Sequence, residues 1–516
     1  MFRWSLSTRA VSIAVMGLVM LAAAPAHAVS GTVVSVVSAA NPAVGAQLSP
    51  VSDLLEPVSA ISQPLPGAPT QALIQATGQL SAALGLPQDP TVAIQQAGLP
   101  PQIAGRVANL LQDLLACQTI TAAHFAGVPA EGLAALVGNG TGVNPAVQPL
   151  LRSCAEDVWA STGELELTMA AAATCSPLGT PSLDIWPVLR LESGCDDNIY
   201  PNDYLLLIDN GGADTYRNNV GSNMVDLNFS PAGSAVTGLR GTGPARGCQR
   251  AIPGLTATDC VPTAAVLLDL QGNDTYGVKE TPDHDTGCTT DLLVRRMMTG
   301  GAGFLGVGVL RDAGASTDTY TGKTGALGAG HVFGVGILSD DGGDDNYTAV
   351  RNSQGFALVG GLGLLRDEAG NDDYGFYMPA PINPAAPNQT EGAGGVRDDE
   401  GEGLCDRIPR FTQGTANVLP GTIGVFVDDA GDDSYHGAFA GQFSGPFQNP
   451  STRAGSLGFG NNQGLGVFLD GAGTDSYQVD GEPVVPGVPH RGNATTVNPG
   501  NDSTGAGVGA GIFIDQ

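Results

Sequence analysis

One motif recurs through the second half of the chain and constrains its fold more than any other feature. It consists of a first aspartate, a short turn that usually contains glycine, a second aspartate and, two residues later, a tyrosine. The tyrosines of two neighbouring copies, Tyr347 and Tyr374, lie 27 residues apart. Such a period is typical of repeat architectures, in which each unit buries its apolar face only by stacking on its neighbours. The seven copies are Asp209…Asp214…Tyr216, Asp269…Asp274…Tyr276, Asp312…Asp318…Tyr320, Asp340…Asp345…Tyr347, Asp367…Asp372…Tyr374, Asp428…Asp433…Tyr435 and Asp470…Asp475…Tyr477.

An apolar segment leads into every copy. The residue immediately before the first aspartate varies and includes Arg311 and Arg366, so we predict that this position faces outward. The pattern predicts a short apolar strand, a tight acidic turn and a second short strand that carries the tyrosine. The positions three and two before the first aspartate are always apolar: Leu206–Leu207, Val266–Leu267, Val309–Leu310, Ile337–Leu338, Leu364–Leu365, Val425–Phe426, Val467–Phe468 and Ile512–Phe513.

These units predict a mainly β fold over residues 200–516. A turn-and-strand unit of 27 residues has the size of one coil of a parallel β-helix or a related β-solenoid, here with about seven to eight coils. The lead-in opens once more at Gly511–Asp515, which predicts that the chain continues past Gln516 or that a partner covers this end. The longer intervals between copies would be loops inserted at 217–261, 277–299, 375–420 and 437–462.

The part of the chain before the repeats divides into three segments. Residues 1–28 have two arginines, a short apolar run and the small-x-small site Ala26-His27-Ala28, which is typical of a signal peptide that leaves no transmembrane anchor after cleavage. Residues 29–66 are rich in Val, Ser, Ala and Pro, and we interpret them as a flexible spacer. Residues 67–199 predict a small α-helical domain, with one helix capped by Thr70 and another running from Pro100 to Cys117.

Cysteine content indicates the redox environment of the protein, and net charge indicates which partners it can bind. Eight cysteines, an even number with no Cys-x-x-Cys pair, favour disulfides in an exported chain. Cys117 with Cys154 and Cys248 with Cys260 are the first pairings to expect from their closeness in sequence. A formal net charge of −29 disfavours binding to nucleic acid or to an anionic membrane and favours binding to cations.

The paired aspartates are the candidate site residues. An aspartate at the start of a turn accepts hydrogen bonds from that turn, and this role alone can explain the first aspartates. The second aspartates would stack in register about 4.8 Å apart, and like charges so placed need neutralisation. Calcium, which takes six to eight oxygen ligands, would supply it. The candidate metal ligands are Asp209, Asp214, Asp269, Asp274, Asp312, Asp318, Asp340, Asp345, Asp367, Asp372, Asp428, Asp433, Asp470 and Asp475.

Two of these turns support a resemblance to a known family. The runs Gly-Gly-Asp-Asp-Asn-Tyr, ending at Tyr347, and Ala-Gly-Asn-Asp-Asp-Tyr, ending at Tyr374, resemble part of the glycine-rich nonapeptide repeats of the repeats-in-toxin family. That family repeats every nine residues, whereas this chain has one motif per unit, so its short β-roll does not carry over. The resemblance implies a calcium-binding parallel β solenoid over roughly residues 200–516. Turns stabilised without calcium stay open as the alternative.

Two functions of different classes remain at this point. The first is a secreted or cell-surface, calcium-stabilised repeat protein with a structural or adhesion-like binding role, whose partner would be a surface polysaccharide or another protein. The alternative is a polysaccharide lyase or hydrolase on a parallel β-helix, with Arg311 and Arg366 lining an outer groove. The sequence identifies no catalytic residue for this second function.

Overall fold

The structure is a computed structural model that is mainly β, with α-helices in its N-terminal part. Among the residues described, no helix combines the length and apolar character needed to cross a membrane. The signal peptide, most of the predicted inserted loops and Cys248–Cys260 lie outside these residues. The structure describes residues 32–86, 88–125, 144–172, 182–223, 264–277, 299–322, 325–349, 353–376, 416–417, 421–437, 458, 464–479, 482–483 and 510–515.

The helices form a compact layer held by a disulfide. Cys117 is bonded to Cys154, with Cα atoms 5.6 Å apart, which confirms the first predicted pairing. The helix predicted to stop at Cys117 continues to Phe125, since a disulfide does not interrupt helical hydrogen bonding. The helices are α1 (Val33–Ala40), α2 (Pro42–Leu48), α3 (Ser52–Leu55), α4 (Pro69–Ala83), α5 (Thr91–Ala97), α6 (Pro101–Phe125) and α7 (Val147–Ala172), with a 3-10 turn at Ser49–Val51.

The interpretation of residues 29–66 as a flexible spacer is wrong for the part that the structure describes. Helices α1 to α3 lie there, and Leu48, Leu54 and Leu55 are fully buried in the core that the helices share with the sheet. The side chain of Asn41 caps α2 by accepting a hydrogen bond from the Ala43 N–H at 3.1 Å. These helices are too short to be stable alone, so their apolar residues become ordered only by packing against the rest of the protein.

The strands form three sheets. The sheet of ten contains β1 (Leu183–Ile185), β2 (Leu189–Leu191), β4 (Leu206–Asp209), β6 (Ala264–Asp269), β9 (Val307–Asp312), β12 (Val335–Asp340), β15 (Leu362–Asp367), β18 (Ile423–Asp428), β20 (Leu465–Asp470) and β23 (Ala510–Asp515). The sheet of nine contains β3 (Ile199–Tyr200), β5 (Thr215–Tyr216), β7 (Thr275–Tyr276), β10 (Thr319–Thr321), β13 (Asn346–Ala349), β16 (Asp373–Phe376), β19 (Ser434–Gly437), β21 (Ser476–Val479) and β22 (Glu482–Pro483). The sheet of four contains β8 (Gly303–Phe304), β11 (Gly330–His331), β14 (Ala357–Leu358) and β17 (Ala416–Asn417).

Neighbouring copies pair in parallel and in register. Asp340 is paired with Asp312 on one side and with Asp367 on the other, and Tyr347 lies in the same way between Tyr320 and Tyr374. The exceptions are the antiparallel pairs β1–β2 and β21–β22 at the ends of two sheets. Because β1 and β2 belong to the ten-stranded sheet, this sheet begins at Leu183, ahead of the predicted boundary at residue 200.

Both faces of the ten-stranded sheet are buried. The residues two before the first aspartate, such as Leu365 and Phe426, pack with the tyrosines. The residues one and three before it, such as Ile208 and Leu206, pack in one core with the helices. This explains why two successive positions of each strand are apolar, because each covers a different face. The prediction that the position before the first aspartate faces outward is therefore wrong.

Arg311 and Arg366 at that position hold the helical layer on the sheet. Arg311 is 4% exposed, and its Nε donates to Glu166 of α7 at 2.7 Å. Arg366 is 5% exposed, and it donates to the Leu55 carbonyl oxygen at 2.7 Å and forms an ion pair with Asp429. These contacts bury both arginines beneath the helices, so they do not line an outer groove.

Candidate metal centre

The first aspartate caps its own turn in six of the seven copies. In the fourth copy, Asp340 Oδ1 accepts a hydrogen bond from the Gly342 N–H at 2.8 Å, and in the fifth copy Asp367 Oδ1 accepts from the Ala369 N–H at 3.1 Å. The same bond forms at Asp209, Asp269, Asp312 and Asp428. These contacts confirm the turn-capping role that the sequence predicts for the first aspartates.

The tyrosines form a continuous stack beside these aspartates. From Tyr200 to Tyr435, seven rings stack with centroids 4.6–5.1 Å apart and planes within 14° of parallel. Their hydroxyls reach the first aspartates: the Tyr347 hydroxyl lies 2.6 Å from Asp367 Oδ2 and 3.2 Å from Asp340 Oδ2. Both oxygens of Asp340 and of Asp367 therefore have protein partners.

The second aspartates form a different column. The Oδ1 atom of each accepts the backbone N–H of the second aspartate in the preceding copy, so Asp345 Oδ1 accepts from Asp318 at 2.5 Å and Asp372 Oδ1 accepts from Asp345 at 2.6 Å. The same bonds join Asp274 to Asp214, Asp318 to Asp274, Asp433 to Asp372 and Asp475 to Asp433. The column thus links one copy to the next through a side chain.

The other oxygen of these second aspartates has no hydrogen-bond partner. Asp318 is fully buried and Asp345 is 3% exposed, yet neither Oδ2 atom has a donor within reach. The same holds for Oδ2 of Asp214, Asp274, Asp372, Asp433 and Asp475. A buried carboxylate oxygen without a partner is costly, and its repetition in copy after copy indicates that the row is built to face a positive group.

The aspartates group by three across each gap between copies. A group contains the second aspartate of one copy and both aspartates of the next, with one carboxylate oxygen from each lying within 4.8 Å of the other two. Five such groups are Asp214–Asp269–Asp274, Asp274–Asp312–Asp318, Asp318–Asp340–Asp345, Asp345–Asp367–Asp372 and Asp372–Asp428–Asp433. Asp209, Asp470 and Asp475 lie outside these five groups, although Asp475 shares the hydrogen-bond pattern of the column.

Glycine two residues before the second aspartate lets neighbouring turns approach closely, and the third copy has Ser316 at this position. A β-carbon on Gly370 would lie 1.8 Å from the Gly343 carbonyl oxygen and 2.6 Å from Asp372 Oδ1. A β-carbon on Gly431 would lie 1.8 Å from the Gly370 carbonyl oxygen and 2.5 Å from Asp433 Oδ1. A side chain would therefore collide with these oxygens, and glycine recurs there because carbonyl and carboxylate oxygens lie directly against its backbone.

Burial changes the acidity of the whole column. Burial, with added repulsion from neighbouring carboxylates, raises the pKa of Asp274 and Asp433 to about 8 and that of Asp372 to about 9. Burial and nearby aspartates raise the pKa of Asp340 and Asp367 well above the usual range as well. The folded chain therefore holds these groups at neutral pH only if protons or cations offset their charge.

The donor set fits a hard cation. It consists of carboxylate oxygens and, at the glycine positions, carbonyl oxygens, which are the ligands of calcium and magnesium rather than of zinc or copper. The unpartnered Oδ2 atoms agree with an ion bound between successive copies. The described part of the chain thus contains several aspartate clusters that can hold a metal ion.

Sequence reasoning missed two parts of this arrangement. The repeat pattern predicts that the tyrosines lie on strands, but it assigns no partner to their hydroxyls, which contact first aspartates 7 to 54 residues away in sequence. The segment Asn198-Ile199-Tyr200 is a partial copy, because Tyr200 pairs with Tyr216 and the Asn198 N–H donates to Asp214 Oδ1 at 2.5 Å. Reading asparagine as equivalent to the second aspartate would have found it.

Comparisons of the chain with protein-family models, with curated proteins and with solved structures found no match. The geometry of its own residues is therefore the basis for assigning a function.

Proposed function

We propose that residues 200–516 form a calcium-stabilised parallel β solenoid, in which the aspartate groups bind calcium between successive coils. The observation that carries this proposal is the row of buried Oδ2 atoms without partners, repeated from Asp214 to Asp433. Each coil adds two aspartates, so one divalent cation in each gap neutralises the column. We assign Asp209 to one end of this row of calcium ligands, and Asp470 and Asp475 to the other end.

The proposed biological role is that of an exported structural or adhesion-like scaffold. A candidate signal sequence and the Cys117–Cys154 disulfide favour an extracellular or cell-surface location, where calcium sites of modest affinity fill readily. The solenoid would present its inserted loops to a surface polysaccharide or to another protein. The polysaccharide-cleaving alternative loses its proposed groove, because Arg311 and Arg366 are buried against the helices.

Thermal unfolding of the full chain tests calcium binding. The melting temperature should rise with added calcium and fall after EDTA, because a ligand at 100 times its dissociation constant adds about 2.7 kcal/mol per site. Magnesium should substitute poorly, because it requires strict octahedral geometry. An unchanged melting temperature in EDTA, with no calcium retained on the purified chain, would leave the aspartates as turn caps only.

A further inference from the structure

In the second to fifth copies, the two aspartates differ in how many of the five groups they join. Asp340 and Asp367, which are first aspartates, each belong to one group. Asp345, a second aspartate, belongs both to the group with Asp318 and Asp340 and to the group with Asp367 and Asp372. Asp274, Asp318 and Asp372 are shared between two groups in the same way.

The hydrogen bonds of Asp345 show which of its carboxylate oxygens has a protein partner and which does not. Oδ1 of Asp345 accepts the Asp318 N–H at 2.5 Å, whereas Oδ2 has no hydrogen-bond partner and is the oxygen more open to an ion. The backbone N–H of Asp345 is tied to Asp372 Oδ1 at 2.6 Å, which fixes the next carboxylate at the same time. The carboxylate of Asp345 therefore takes part in two neighbouring groups and has one oxygen without a protein partner.

We propose that the second aspartates Asp274, Asp318, Asp345 and Asp372 are bridging ligands, each holding the two cations on either side of it. This inference rests on the proposed calcium binding and adds to it that the ions form one continuous row with shared ligands. The first aspartates belong to one gap each, since their oxygens also cap the turn and accept the tyrosine hydroxyls. Neighbouring sites in the row are thus coupled through a carboxylate.

Counting bound calcium in three single variants of the full chain tests this inference. Asp345→Asn should lose about two calcium ions per chain relative to the wild type, because it removes a ligand from two groups. Asp340→Asn should lose about one. Asp344→Asn is the matched control: Asp344 is exposed, its Oδ1 accepts from Asn371, and it belongs to none of the five groups, so no ion should be lost.

Equilibrium dialysis at a fixed free calcium concentration, followed by elemental analysis, gives the count. Asp372→Asn repeats the test at the group with Asp345 and Asp367 and at the group with Asp428 and Asp433. The expected loss is again about two ions. Equal losses from Asp340→Asn and Asp345→Asn, or the loss of every ion from both Asp345→Asn and Asp372→Asn, would overturn the bridging role. A wild-type chain that binds no calcium would overturn the bridging role and the proposed function together.

Discussion

Substitution of Tyr347 tests how strongly its hydroxyl stabilises the contact between neighbouring copies. Replacing it with phenylalanine keeps the ring, which stacks 4.6 Å from Tyr320 and 4.8 Å from Tyr374, and removes only the hydroxyl. The hydroxyl has one proton and two carboxylate neighbours, so the 2.6 Å contact to Asp367 is the donated bond and the 3.2 Å contact to Asp340 is the weaker one. A lost bond to a buried charged acceptor costs about 1.5 to 3 kcal/mol.

We therefore expect Tyr347→Phe to lower the free energy of unfolding by about 2 to 3 kcal/mol, since Asp367 Oδ2 is left buried with one donor fewer. Chemical denaturation in saturating calcium, followed by circular dichroism, measures the change. Tyr204→Phe is the matched control, because the Tyr204 hydroxyl makes a 3.1 Å bond to Asp184, whose side chain is 46% exposed, and should cost less than about 1 kcal/mol. Equal costs for the two variants would show that the hydrogen bond to the buried Asp367 stabilises the fold no more than the exposed bond to Asp184.

Two further predictions follow from the buried charges. Arg366→Met should lower the free energy of unfolding by about 3 to 5 kcal/mol, because it removes both the ion pair with the buried Asp429 and the hydrogen bond to the Leu55 carbonyl oxygen; a change below about 1 kcal/mol in chemical denaturation would mean that the helical layer does not depend on Arg366. In EDTA, stability should fall as pH rises from about 4 to about 8. Burial raises the pKa of Asp274 and Asp433 to about 8, so the folded chain binds more protons than the unfolded chain in that window. Saturating calcium should remove most of this slope, and an apo-protein that becomes more stable with rising pH would contradict the assignment of these groups.

The in-register pairing of copies was predictable from the sequence. A fixed aspartate–turn–aspartate–tyrosine unit, preceded by two apolar residues, places the same residue at the same point of every strand, and parallel pairing then brings equivalent residues together. The turn-capping role of Asp340 and the pairing of Cys117 with Cys154 followed from similarly local evidence. These features depend on residues that are close in sequence or repeat at a fixed period.

Only the tertiary structure decided which faces are buried and what each oxygen contacts. The burial of Arg311 and Arg366, and the order of residues 33–55, depend on a helical layer that lies far from them in sequence, and no pattern within the strands encodes it. The sequence separates the two aspartates of a copy by their place in the turn, but it does not show what each carboxylate oxygen contacts. The two aspartates differ in the structure because the tyrosine hydroxyls reach the first and leave Oδ2 of the second unpartnered, and this distinction arises only when neighbouring copies stack.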